Sequence, residues 1–245
     1  MLKKLLLPFT LLCLILCLAS CKHADKPKTE KKIYDPYKDA PGSVVTKTYD
    51  NGAKRDVDIY RIDEKGNRTD EVVCHAAYHK NGTLYTEMKF DHGLEDGVWN
   101  AYYDDGTPWS TAKYDHGVQI GEEKTFYPNG NVRTQCTYNQ GKIDGEYIEY
   151  FDSGKKMRST KFDMGVKNGD EVCYYPNGKT CYEGHFTDGN CTGTWNYYDE
   201  IGNITRTAIA DENAPVCRNC PKCKALLDAH YAKKSQKSKN NLLSN

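Results

Sequence analysis

Three cysteines spaced three residues apart, Cys217, Cys220 and Cys223, followed by His230, form the densest set of chemically capable side chains in this chain. Three thiolates and an imidazole at short spacing suit tetrahedral zinc, so zinc is the one cofactor the sequence leaves open. An iron–sulfur cluster would require a fourth cysteine, and the run lacks one at the usual place. A redox-active Cys-x-x-Cys normally opens a helix of a thioredoxin-like unit, which is absent here. The remaining reading is structural: disulfide pairing, within the segment or with a cysteine elsewhere in the chain. No Ser/His/Asp set, phosphate loop leading into a helix, or pair of buried carboxylates can be placed, so no catalytic residues are assigned and the chain is read as a non-enzyme.

A second cysteine pair carries a more local expectation. The turn Pro176-Asn177-Gly178 places Tyr175 opposite Lys179. Counting back along both strands sets Cys173 against Cys181, a disulfide candidate that one residue of register error would cancel. Cys74, Cys136 and Cys191 have no partner that the sequence can name. His92 and His116 occupy equivalent positions 24 residues apart, but Gln140 and Met164 fill the same place later, which argues for a tolerant turn position rather than repeated metal ligation.

The first twenty-one residues read as basic (Lys3, Lys4), then apolar from Leu5 to Leu18, then Ala19-Ser20-Cys21. The apolar run is short for a bilayer span and suits a cleaved signal. Its end resembles the bacterial lipobox, which implies a signal peptide over 1–20 and a lipidated Cys21 anchored in a membrane by several acyl chains. Residues 21–44, rich in lysine and proline, are expected to form a solvated tether. Residue 22 is lysine rather than the aspartate associated with inner-membrane retention, so the cell envelope, and its outer membrane before its inner, is the expected location. Residues 208–245 form a cysteine-containing basic tail with a short helical candidate from Lys224 to Ala232. The formal net charge is zero over the whole chain, so bulk electrostatics offer no support for a nucleic-acid partner.

The elements that must position these residues are set by glycine. Sixteen of the twenty glycines lie on one frame of period 24: Gly82 to Gly202, Gly93 to Gly189, and Gly97 to Gly193. A fixed period of this length means stacked copies of one supersecondary unit. Between the glycines lie two segments of β-type composition, joined by turns such as Tyr127-Pro128-Asn129-Gly130, which match a type I turn with a G1 bulge. The second connection, His92-Gly93-Leu94-Glu95-Asp96-Gly97, reads as a looser turn with glycine at both ends. The fold class is therefore all-β, an elongated antiparallel meander of hairpins over residues 45–207. Aromatic pairs (Tyr102/Tyr103, Phe126/Tyr127, Tyr150/Phe151, Tyr174/Tyr175) are expected to place a ladder on each face, and Phe90, Tyr114, Tyr138, Phe162 and Phe186 form a third. Trp99, Trp109 and Trp195 are candidate partner contacts, set against packing within the ladders.

The pattern Gly-x-Trp/Tyr-x-x-Tyr-Tyr-x-x-Gly, followed by Tyr/Phe-x-x-Gly-x-x-x-Gly, resembles MORN-type repeats, in a bacterial variant that includes the YwqK-like antitoxin family. The resemblance is strong from Tyr78 to Gly202 and weak over Thr46–Ala77, where a degenerate capping unit is expected. It implies a hairpin ribbon that binds proteins or membranes and fixes no catalytic residue. The expected function is a lipid-anchored, non-catalytic scaffold with a protein or glycan partner. An immunity role, or a metal or redox role for the C-terminal cysteines, are the alternatives.

Overall fold

The computed structural model describes residues 35–210. Within them the backbone is all-β and follows the 24-residue frame closely. The strands of the first half are β1 Ser43–Thr48, β2 Lys54–Ile62, β3 Arg68–Tyr78, β4 Leu84–Asp91, β5 Leu94–Glu95, β6 Gly97–Tyr102, β7 Pro108–Asp115 and β8 Val118–Phe126. Those of the second are β9 Val132–Asn139, β10 Lys142–Ile143, β11 Gly145–Tyr150, β12 Lys156–Asp163, β13 Val166–Tyr174, β14 Thr180–Thr187, β15 Asn190–Tyr198 and β16 Ile204–Ala210. They pair in chain order as one antiparallel meander, with the short β5 and β10 paired beside β4 and β9. The degenerate segment at the start joins the same sheet through β1, β2 and β3.

Two kinds of turn close the hairpins. At one edge the Tyr127 amide donates to the Asn131 carbonyl at 2.8 Å and the Gly130 amide to the Tyr127 carbonyl at 2.8 Å. The same two bonds recur at Tyr49, His79, Tyr103, Phe151, Tyr175 and Asp199, each turn closing on a left-handed glycine three residues later. The opposite edge differs from the looser turn read in the sequence. Asp91 pairs directly with Leu94, leaving a two-residue loop in which His92 (φ 49°) and Gly93 (φ 79°) are both left-handed. This is a type I′ turn, whose twist matches that of the flanking strands. Gly97 belongs to the following strand, where it pairs with Tyr114.

Directly paired residues share a face, so rows of side chains can be followed across the sheet. One row alternates large with small: Trp99 opposite Ala112, Glu123 opposite Cys136, Tyr147 opposite Thr160, Glu171 opposite Gly184, Trp195 opposite Ala208. Ala112, Cys136, Thr160, Glu171 and Trp195 are all buried. The third aromatic ladder packs onto this row, with Tyr114 edge-on to Trp99, Phe162 to Tyr147 and Phe186 to Trp195. Interlocking large and small side chains lets this face pack with few aliphatic residues.

The N-terminal core lies on the opposite face. Ala76 pairs with Glu87, the neighbour of Thr86, and Thr86 belongs to the face of Ala101 and Trp99. Val57, Ile59, Cys74, Ala76, Tyr78 and Leu84 form this cluster, with Tyr37 packed against it. Tyr37 donates to Glu87 at 2.6 Å, Tyr78 donates to Asp35 at 2.7 Å, and Lys54 pairs with Asp35. The expected tether thus ends earlier than residue 44. Asp35 to Ala40 dock on the sheet because Tyr37 supplies buried ring area and Asp35 a partner for Tyr78, which outweigh the lysine-rich character of the surrounding sequence.

Candidate interaction surface

Both edges of the array are stitched from one unit to the next. At the edge of the four-residue turns, Tyr103, Tyr127 and Tyr175 donate from their hydroxyls to the carbonyls of Phe126, Tyr150 and Tyr198 at 2.7, 2.7 and 2.8 Å. Asn81, Asn129 and Asn177 donate to the carbonyls of Asp104, Asp152 and Glu200 in the next turn. Tyr103, Tyr127 and Tyr175, each second in its aromatic pair, are therefore latches as well as ladder members. At the other edge the amides of Gly117, Gly141, Gly165 and Gly189 donate to carbonyls 22 residues earlier, those of Glu95, Gln119, Ile143 and Lys167.

A charged network lies within the buried face of β12–β14. Glu171, 4% exposed, accepts from Thr160 at 2.9 Å, Lys167 at 2.7 Å and Tyr182 at 2.8 Å. Burial works to raise its pKa, but the Lys167 ammonium, Arg158 and the Tyr182 hydroxyl together hold it below the usual carboxylate value. Tyr182 is pushed the other way, by burial and by the adjacent Glu171 carboxylate. Full pairing lets these groups be buried without a large desolvation loss.

The opposite face is open from β6 onward. Along it runs a second row of pairs, Val98 with Lys113, Glu122 with Thr137, Glu146 with Lys161, Asp170 with His185 and Thr194 with Ile209. Every member of this row is exposed. On the other face Tyr85, 40% exposed, stacks on Trp109 at 6.3 Å between ring centroids, with His79 edge-on to Tyr85 at 5.0 Å; Tyr85 and Trp109 hold the repeat position of the buried Met157 and Cys181.

The three tryptophans named from sequence have different roles. Trp195 is 1% exposed and is corrected from partner contact to core, because Gly184 leaves room for its ring. Trp99 is partly buried and donates to Thr86 at 2.6 Å, tying β6 to β4. Only Trp109 sits in an aromatic group with an exposed member. The open charged row was missed from sequence. Its signal was the polar residue immediately before a ladder residue, Lys113, Thr137, Lys161 and His185, readable only once the register was known.

The Cys173–Cys181 pairing is also corrected. The turn sets Tyr175 against Lys179 as expected, but a bulge follows, so Cys173 pairs with Tyr182. Cys173 keeps its thiol and lies beside the buried Cys181 in one cluster with Tyr175. Cys74 and Cys136 are buried thiols. Cys21, Cys217, Cys220, Cys223 and His230 lie outside the described residues.

Two side-chain groups could approach a cation: Glu71, Asp91 and His92, and Asp91, Asp96 and His116. The Arg61 guanidinium already binds Glu71 at 2.7 Å and Asp91 at 2.9 Å, so it supplies the neutralising charge for those carboxylates. Both histidines lie at the left-handed position of a type I′ turn, in line with the tolerant turn position read from sequence. An open pocket beside them is lined by Asp58, Glu71, His75 and Phe90, with His75 Nδ1 2.6 Å from Asp58.

An all-β array of stacked hairpins, stitched at both edges and open on one face, defines a repeat scaffold. The MORN repeat variant matches residues 119–140 and 167–188. Each match starts just after one type I′ turn and ends at the next, so one matched segment is one hairpin, β8–β9 or β13–β14. Over these two segments the chain is similar to the MORN repeat variant. No curated protein matches the chain.

Proposed function

We propose that the protein is a non-catalytic scaffold, held in the cell envelope by lipid on Cys21, whose open sheet face binds a protein or glycan. The observation that carries the reading is the contrast between the two faces. One buries its large residues against small ones, while the other presents an exposed row that carries both signs of charge, Lys113, Glu122, Glu146, Lys161 and Asp170. Mixed charges favour a polar partner surface of complementary charge over a polyanion. The lipobox-like Leu18-Ala19-Ser20-Cys21 supports the anchor.

Two measurements test it. Cys21→Ala should move the protein from the membrane to the soluble fraction, and retention in the membrane would overturn the lipid anchor. A photo-crosslinker at Lys161 in the native envelope should yield a discrete adduct that Glu122→Lys weakens. Absence of any adduct from this face, with adducts from the opposite one, would overturn the assignment of the binding face.

A further inference from the structure

The first ring of each aromatic pair belongs to the open face. Tyr102, Phe126, Tyr150, Tyr174 and Tyr198 each stand four residues along the strand from a member of the exposed row, as Tyr150 does from Glu146, and so share its face. All five are half-buried. One unit earlier the same position holds Tyr78, which is 2% exposed where Tyr37 packs against its cluster and Asp35 accepts from its hydroxyl. The ladder is thus capped at its N-terminal end and presents its rings from Tyr102 onward.

A line of direct strand pairs runs beside the rings, from Asn100 through Lys124, Gln135, Ser159 and Glu183 to Thr207. It is mostly polar, and two rings are tied to it: Tyr150 donates to Gln135 at 3.4 Å and Tyr198 to Glu183 at 2.6 Å. Charges on this face are matched with one another. Lys124 binds Glu122 at 2.6 Å, Lys156 approaches Glu146 at 3.8 Å, and His185 Nδ1 lies 2.8 Å from Asp170. A face with no dominant sign has no field that selects a charged polymer.

The spacing separates a folded protein from a polymer as occupant. β6, β8, β11, β13 and β15 carry the rings and alternate in the sheet with β7, β9, β12 and β14. Successive rings therefore repeat every two strands, at about 9.6 Å. A folded protein surface has no such period. An extended β-1,4-linked glycan does: alternate sugars are turned over, and the chain repeats every two sugars at nearly this distance. Each sugar offers a C–H face that stacks on an aromatic ring, and hydroxyl edges that pair with amides, carboxylates and hydroxyls. Rotation about the glycosidic bonds lets the chain follow the twist of the sheet.

We propose that this face binds an uncharged β-1,4-linked glycan laid across the strands, one disaccharide to each 24-residue unit, with sugars stacked on the five rings and their hydroxyls on the polar line. The inference rests on the open face as the binding surface and selects glycan over protein as its partner.

Calorimetry of the full-length protein in detergent, titrated with chitohexaose, chitobiose and maltohexaose, tests it. Chitohexaose, long enough for three units, should bind roughly tenfold or more tighter than chitobiose, and the α-1,4-linked maltohexaose, which coils, should not bind. No binding of chitohexaose, or equal affinity for it and for either of the others, would overturn the proposal. Tyr150→Ala should weaken chitohexaose by roughly tenfold or more, while Tyr150→Phe, which keeps the ring, retains binding. Should Tyr150→Ala fail to fold, Ser159→Arg serves the same purpose. It removes no ring, sets a long side chain on the polar line between Tyr150 and Tyr174, and should block the hexamer. Unchanged affinity in Ser159→Arg would overturn the assignment of the glycan to this face. The crosslinker at Lys161 separates the two readings: a protein adduct there without chitohexaose binding overturns the glycan alone, and adducts confined to the opposite face overturn the binding face itself.

Discussion

The ring of Trp195 lies face-on over the backbone of Gly184, the residue it opposes across β14 and β15. A Cβ on Gly184 would fall inside the van der Waals envelope of Trp195 Cδ2, Cε2 and Cε3 at once. Gly184 is one of four glycines off the 24-residue frame, and its φ is not in the left-handed region. Its role is to make room. In other units the same place holds Ala112, Cys136 or Thr160, and the residues at the place of Trp195 are the smaller Glu123, Tyr147 and Glu171.

Gly184→Ala is accordingly expected to destabilise the protein by about 1–3 kcal/mol through overpacking. Pairing it with Trp195→Phe should recover part of that loss. Urea unfolding followed by circular dichroism measures both. An unchanged midpoint for Gly184→Ala would mean the ring can shift at no cost.

The latch tyrosines provide a gain as well as a loss. Tyr127→Phe removes the bond to the Tyr150 carbonyl and should cost about 0.5–1.5 kcal/mol. Phe151 holds the equivalent position in the next unit without a hydroxyl. By the same 23-residue offset, Phe151→Tyr should place a hydroxyl on the Tyr174 carbonyl and raise the melting temperature. A lowered melting temperature for Phe151→Tyr would show that this turn is spaced differently from its neighbours.

Acid should weaken the array through Glu171. Its pKa is depressed in the folded state, so its stabilising contribution is complete above the unfolded value near 4.5 and is lost as pH falls through the lower folded value. One such group contributes a slope of up to about 1.4 kcal/mol per pH unit in that acid window. Glu171→Gln should be less stable at pH 7 and show a flatter acid limb in thermal melts. Parallel acid limbs for the two proteins would rule out this carboxylate as a source of acid sensitivity.

Cys136 should be unreactive in the native state. Burial, with the Glu123 carboxylate adding to it, pushes its thiol up to about 12. At pH 8 the thiolate fraction is then about one in ten thousand, and the sulfur is covered as well. Iodoacetamide should leave Cys136 unlabelled in the folded protein and label it fully in denaturant. Rapid native labelling would indicate that β9 opens locally.

The hairpin architecture was legible in the sequence because turn chemistry is local. Proline, asparagine and glycine at fixed offsets specify one turn type, and the period of 24 repeats it. The type I′ turns were misread because histidine and methionine stand where glycine or asparagine is commoner, and the flanking glycines drew attention away from Asp91 and Leu94. The Cys173–Cys181 pairing failed for a related reason. A single bulge beyond a correctly read turn moved Cys173 opposite Tyr182, and a bulge leaves no compositional mark.

The candidate surface was less accessible still. Trp99, Trp109 and Trp195 look alike as residues and differ in burial, which depends on what each opposes across the strand. The sequence by itself determined the unit, its period, its glycine-closed four-residue turns and the order of its strands, since each follows from contacts within about 24 residues. Only the tertiary structure decided which face is buried at each end, which tryptophan is core, and which charged residues line up in one exposed row. Those properties are set by register between strands, where a shift of one residue exchanges the two faces of the sheet.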